Sequence, residues 1–452
     1  MEYSDFLRTK KLRVNHIGFE STPHGFLYDF QRDIVSRALL CGRFAMFADC
    51  GLGKTPMQLS WAQSVADHTG KPVLIFAPLA VAEQTRREGD KFGITVTICQ
   101  TAADVRPGVN ITNYEKIHHY TPDGIAGIVL DESGILKNYG GHYRKQLTDF
   151  ASSIDYRLCC TATPAPNDLI EIINHAEFLG VLSGKEAIAL FFKTDGNTTH
   201  SWRLKHHAET DFWRWMASWA VAVRMPSDLG YANNGFILPE LRLFQHTVSG
   251  HIEEGFLFQV EAHTMQERRL ARRESRGERV DLCAGLANAD DAAWLCWCGL
   301  NAESDLLKKT IRGAVEVKGA DKPEWKTQAM LGFSAGDHRV LVTKPSIAGF
   351  GMNWQHCRNM AFVGLSDSFE ELYQGIRRCW RFGQKLPVNV HLIVADTEGA
   401  VMDNVKRKER DHAEMMHQLA AHMGQEYGWA KDDQRYDGTQ TAITPVWLGR
   451  IA

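Results

Sequence analysis

Two glycines, a lysine and a threonine stand together in "FADCGLGKTPMQ", residues 47–58, directly after an apolar run. Residues of these types at this spacing could hold phosphates. Glycines let backbone N–H groups converge on phosphate oxygens, and a helix N-terminus behind them adds partial positive charge. The stretch fits A-x-x-G-x-G-K-T through Ala48, Gly51, Gly53, Lys54 and Thr55, with alanine where the strict pattern wants glycine. In that role Cys50, Gly51, Leu52 and Gly53 line the phosphates, Lys54 reaches the β- and γ-phosphates, and Thr55 holds Mg²⁺. Pro56 suits the first turn of the following helix, where no intrahelical N–H bond is lost. Taken alone, the same residues also fit a tight turn with a surface lysine.

A second group is "GIVLDESG", an apolar strand that ends in Asp131 and Glu132. A metal–nucleotide complex needs one carboxylate in the Mg²⁺ shell and another to polarise the attacking water. Neighbours on a strand point to opposite faces, so both serve only at the strand's end, where the chain turns. An acidic pair after a strand is also a common helix start. The third group is "YQGIRRCWRFGQ", residues 373–384, where Arg378 and Arg381 share a helix face. A guanidinium there could neutralise charge on a transferred phosphoryl group, or simply form a basic surface.

These residues fall at the ends of apolar runs. "RFAMFAD", "PVLIFAP", "VNITNY", "GIVLDE" and "YRLCCTAT" read as strands buried on both faces, with helical patterns between them. That pattern predicts a parallel sheet, with ligands at the carboxyl ends of its strands. A second set follows in "DAAWLCWCGL", "AVEVKG", "HRVLVTK", "NMAFVGL" and "VNVHLIVA". Between the two sets lie the aromatic helical segment "DFWRWMASWAVAV" and a helical stretch from 251 to about 280. The tryptophans fit a core better than a base-stacking platform.

A chain of 452 residues exceeds one compact core, and its 44% hydrophobic and 23% charged residues suit a globular protein. No apolar run is long enough to span a membrane, and the polar start is not a secretory signal. The ten cysteines lack C-x-x-C spacing, so they read as reduced, buried thiols. A net charge of −3 excludes a uniformly basic surface but not a local channel. In "QERRLARRESRGER", Arg268, Arg269, Arg272, Arg273, Arg276 and Arg279 fit either a phosphate-tracking surface or a solvated helix face.

Taken in order, these blocks resemble the Swi/Snf-type branch of the superfamily-two helicase-like ATPases, in its short bacterial and phage forms. "FLYDFQRDIV" resembles the adenine-reading motif through Gln31, and "LIFAPLAVAEQTRREGDKF" resembles motif Ia. "ITNYEKI" is similar to the I-T-x-Y-E block, and "DESGILKN" to D-E-A-H-R-I-K-N, with Gly134 in place of the histidine. "TATPAPND", "RMPSDLG…ILPE", "AGFGMN" and "YQGIRRCWRFGQ" resemble the remaining blocks, over roughly 24 to 395.

The resemblance implies an α/β protein of two RecA-like parallel-sheet lobes with a helical insertion between them. Lobe one is expected over 1–170, the insertion and linker over 171–280, lobe two over 281–410, and a tail over 411–452. ATP and Mg²⁺ are implied in the cleft between the lobes, with Lys54, Asp131, Glu132, Arg378 and Arg381 catalytic. Gln31 and Gln374 join the phosphate loop in binding nucleotide, and Thr55 and Asp131 hold the metal. Thr112, Asn113, Tyr114, Lys137, Asn138, Gly349 and Asn353 are implied to contact nucleic acid. The implied activity is DNA-dependent ATP hydrolysis coupled to translocation or unwinding, in a bacterial or phage-infected cytoplasm. Translocation without strand separation, or a nucleic-acid-binding scaffold, would carry many of the same motifs.

Overall fold

A computed structural model describes residues 16–78, 81–137, 141–194, 202–248, 273–348, 352–396 and 399–427. Asn138, Gly349, Arg268, Arg269 and Arg272 lie outside the described residues. The chain divides into two compact units, one running to Asn233 and including Glu414–Gln434, the other including Asn234–Ala413.

The first unit is built on β1 (Arg43–Ala48), β2 (Val73–Ala77), β3 (Val96–Ile98), β4 (Val109–Asn113), β5 (Gly127–Asp131) and β6 (Tyr156–Thr161). Two short strands, β7 (Phe192–Thr194) and β8 (Trp202–Leu204), pair antiparallel apart from the main sheet, and β9 (Ala220–Val223) closes it. The sheet order is β3-β4-β2-β5-β6-β1-β9, parallel at every pairing. Every residue of β2, β4 and β5 is buried, as expected of strands covered on both faces.

The second unit holds β10 (Leu241–Val248), β11 (Trp294–Cys298), β12 (Ala314–Glu316), β13 (Val340–Thr343), β14 (Asn359–Val363) and β15 (Val388–Ala395). Their order is β10-β15-β14-β11-β13-β12, again all parallel. The expected α/β fold with two parallel-sheet bodies is the fold observed.

The region expected as an insertion is divided differently. β9 pairs with β1 through Ala45↔Ala220 to Ala48↔Val223, so residues near 220 belong to the first sheet. β10 pairs along its whole length with β15, from Leu241↔Val388 to Val248↔Ala395. Each segment is an edge strand, its backbone paired on the one side that faces its neighbour. The aromatic segment is core, with Phe212, Trp213, Trp215 and Trp219 all buried and Trp215 and Trp219 ring centroids 5.3 Å apart. All ten cysteines are buried and unpaired to one another by disulfides.

Candidate active site

The helices that position the site are α1 (Asp29–Cys41), α2 (Lys54–Thr69) and α3 (Ile172–Leu179). The loop between β1 and α2 turns on Gly51 and Gly53, with φ of 93° and 81°. Both values lie in the left-handed region that glycine reaches without penalty. At Gly53 space is also exhausted, because an added Cβ would sit 2.3 Å from Gln31 Nε2. Lys54 opens α2 and donates from Nζ to the carbonyl of Ala48 at 3.0 Å, folding its ammonium back over the loop. Thr55 is half-buried beside it.

Gln31 is buried on α1, and both polar atoms of its amide are hydrogen-bonded. Its Nε2 donates to the Leu52 carbonyl at 2.8 Å, and its Oε1 accepts from the Tyr28 N–H at 3.0 Å. The residue expected to read adenine therefore also fastens the helix start to the phosphate loop.

Asp131 and Glu132 lie where β5 ends, two strands from β1 in the sheet order. Asp131 is buried, and burial together with the charge of Glu132 raises its pKa to about 7. The Lys54 ammonium and the amide of Gln58, one turn further along α2, act in the opposite direction. Among the described residues, Glu132 is the one non-glycine with positive φ, at 57°. Its Oε2 accepts from Thr161 Oγ1 at 3.4 Å, and Thr161 Oγ1 in turn accepts from the Thr163 N–H at 3.2 Å. The loop after β1 and both carboxylates thus lie at the carboxyl ends of β1 and β5, with β6 between the two strands.

The residues expected against nucleic acid are placed differently. Thr112, Asn113 and Tyr114 are buried in the first unit. Tyr120 donates from its hydroxyl to Thr112 Oγ1 at 2.9 Å, and the Tyr114 hydroxyl donates to the Asp131 carbonyl at 2.7 Å. Tyr114 thereby braces the end of β5, and the Thr112, Asn113 and Tyr114 side chains are turned away from solvent. Burial also raises the Tyr114 pKa well above its usual value, which keeps the phenol a donor. Lys137 is half-buried.

In the second unit Arg378 is buried and turned inward. Its Nε donates to the Gln374 carbonyl at 3.0 Å, Nη1 to the Met352 carbonyl at 3.1 Å, and Nη2 to Gln374 Oε1 at 2.9 Å. Gln374 is likewise fully buried, so neither side chain presents itself to a nucleotide in this conformation. Arg381 is half-buried, and its Nη1 reaches the Met352 carbonyl only at 3.4 Å. Asn353 is half-buried, and its Oδ1 lacks a hydrogen-bond partner among the described residues. The basic run also divides: Arg279 is wholly buried, 2.8 Å from an equally buried Glu303, which removes it from any phosphate-tracking face.

Three residues near the site were not singled out in the sequence. Gln58 follows Lys54 by four residues, a spacing that could have marked it as a neighbour on one helix face. Asn174 and His175 form a polar pair inside the apolar helix α3. Asn174 Nδ2 donates to the carbonyls of Leu136 and Lys137 at 2.9 and 3.3 Å. His175 Nε2 hydrogen-bonds Ser133 Oγ at 3.2 Å, and burial lowers its pKa to about 4, so the ring is neutral. Among the described residues no cluster of three or more His, Cys, Asp or Glu could hold a metal by itself, and no helix is long and apolar enough to cross a membrane.

Residues 42–194 match the family described as SNF2-related domain. Over 204 residues the chain is 26% identical to the chromodomain-helicase-DNA-binding protein 3 homolog of Caenorhabditis elegans, covering 36% of this chain and 11% of that protein. Among solved structures, the Sulfolobus solfataricus SWI2/SNF2 ATPase core in complex with dsDNA is similar over 83% of this chain and 89% of that one, with 14% identity and a TM-score of 0.43. The loop after β1, the acidic pair and the Tyr114, Thr161, Asn174 and His175 contacts lie within this stretch, Gln31 just before it, and over it the chain resembles the Swi/Snf-type ATPases.

Proposed function

We propose that the chain is a DNA-dependent ATPase that couples hydrolysis to translocation along DNA, working in the cytoplasm of a bacterial or phage-infected cell. The observation that carries this reading is the convergence of Lys54, Asp131 and Glu132 at the carboxyl ends of β1 and β5, inside the matched SNF2-related stretch. Lys54 and the backbone from Cys50 to Gly53 would take the phosphates. Thr55 and Asp131 offer two oxygen ligands, which suits a Mg²⁺ that draws its others from phosphate and water. When bound, that ion would neutralise charge developing between the phosphates. To Glu132 we assign acceptance of the proton of an attacking water. Asp131, the last residue of β5, is the carboxylate we assign to the metal. Arg381, half-buried where Arg378 is buried, is the arginine of the second unit that we assign to hydrolysis.

Phosphate release with and without DNA, in wild type and Lys54→Ala, tests the reading. Loss of one preorganised charge of this kind costs roughly 10²–10³ in rate. Wild type should be stimulated by DNA and Lys54→Ala should be inactive in both conditions. A Lys54→Ala protein that turns over at the wild-type rate would remove the phosphate-loop assignment. Translocation without strand separation is the form of motor proposed, and a strand-displacement assay on forked and blunt duplexes separates it from unwinding.

A further inference from the structure

Glu132 holds a backbone conformation, φ 57°, that L-residues avoid and that persists only where surrounding contacts impose it. Its carboxylate receives little direct guidance, since the Thr161 hydroxyl lies at the long distance of 3.4 Å. The direction of the carboxylate therefore depends on the backbone turn that carries it. That turn is held on both flanks. Before Glu132, the Tyr114 hydroxyl bonds the Asp131 carbonyl at 2.7 Å. After it, Ser133 Oγ bonds His175 Nε2 at 3.2 Å, with both residues wholly buried.

The helix that supplies His175 grips the far end of the same turn, where Asn174 bonds the Leu136 and Lys137 carbonyls. The imidazole is also seated edge-on against Phe47 of β1, ring centroids 5.3 Å apart and planes at 84°. Phe47 stands immediately before Ala48, whose carbonyl receives Lys54. One side chain thus touches both the strand that leads to the phosphate loop and the turn that aims the acidic residue.

We propose that His175 is a positioning residue for Glu132, acting through Ser133 and fixing the carboxylate's direction relative to the phosphate loop. This rests on the ATPase reading above. His175 contacts no nucleotide in this role, so its removal should slow hydrolysis and spare nucleotide affinity.

The test compares wild type, His175→Leu, His175→Gln, Ser133→Ala, Glu132→Gln and the double variant His175→Leu with Glu132→Gln. Each is measured for single-turnover hydrolysis with DNA present and for affinity toward a fluorescent ATP analogue. Misplacing a catalytic group by about 1 Å can cost on the order of 10²-fold, so His175→Leu should be slowed roughly 10–100-fold with affinity little changed. His175→Gln, which keeps a polar atom near the Nε2 position, should recover most of the rate. In the Glu132→Gln background His175→Leu should cost nothing further, because the effect passes through the carboxylate. Ser133→Ala breaks the same link with a smaller change in volume, and should slow hydrolysis similarly even if His175→Leu fails to fold. Wild-type rates in both His175→Leu and Ser133→Ala, or a full additional loss in the Glu132→Gln background, would overturn the proposal. A wild-type protein without DNA-stimulated hydrolysis would instead remove the ATPase reading on which it stands.

Discussion

Gln31 Nε2 donates to the Leu52 carbonyl at 2.8 Å, so a side chain on the helix before β1 holds the middle of the loop after β1. The contact is buried, and Gly53 lies so close that an added Cβ would sit 2.3 Å from the same nitrogen. Removing a buried hydrogen bond of this kind costs about 1–3 kcal/mol. Gln31→Ala should therefore weaken ATP binding by roughly tenfold or more. Gly53→Ala should be worse, since it adds both a clash and a left-handed alanine. Titration with a fluorescent ATP analogue checks both, and unaltered affinity in Gly53→Ala would mean that this loop does not hold the phosphates.

Glu132→Gln keeps the shape of the side chain and loses its ability to accept a proton. ATP binding should survive while single-turnover hydrolysis falls by roughly 10²–10⁴. Rapid hydrolysis by the variant would show that Glu132 is not the base, and Asp131, with its pKa raised to about 7 mainly by burial, would be the next residue to examine.

The two arginines expected to act alike should separate. Arg378 is buried in three hydrogen bonds to Gln374 and Met352, so Arg378→Ala leaves buried acceptors empty and should lower the melting temperature. Arg381 makes a longer bond and is more accessible, so Arg381→Ala should leave stability nearly intact. If Arg381 stabilises charge in hydrolysis, its loss should cost roughly 10³-fold or more in DNA-stimulated turnover with ATP binding retained. Normal turnover in Arg381→Ala would exclude that role.

Glu409 offers a pH signature independent of catalysis. It is buried, its Oε2 lacks a hydrogen-bond partner among the described residues, and burial raises its pKa to about 7 from 4.5. The folded state therefore keeps its proton at pH values where the unfolded chain has lost it. Stability is then highest below about pH 4.5, falls as pH rises through the window to about 7, and levels off above it. The full effect is on the order of 3 kcal/mol. Glu409→Gln should be more stable than wild type at pH 8 and nearly equal to it at pH 4.5, as read by denaturant unfolding. Equal stability at both pH values would show that the carboxyl is not desolvated.

The amino-acid sequence by itself determined the strands and the turns that end them. Runs such as "VLIFA" and "GIVL" are apolar throughout because parallel strands are covered on both faces, and that demand is written locally. The glycines at 51 and 53 and the acidic pair at 131–132 are legible for the same reason, since each meets a conformational or charge requirement of its own position. Packing alone decided the rest. Whether Tyr114 faces nucleic acid or braces Asp131 depends on what the folded chain places opposite it, and here that is a carbonyl seventeen residues on. Arg378 and Arg381 are indistinguishable by spacing, yet Arg378 is buried with its guanidinium on the Gln374 side chain while Arg381 stays half-buried. His175 and Ser133 are 42 residues apart, on a helix and a turn that carry no mutual signal in their local patterns. β9 and β10 belong to different sheets because each finds an unpaired neighbouring edge, β1 in one case and β15 in the other. Periodicity encodes which face of an element is buried, but which distant group meets that face is decided only when the elements close on one another.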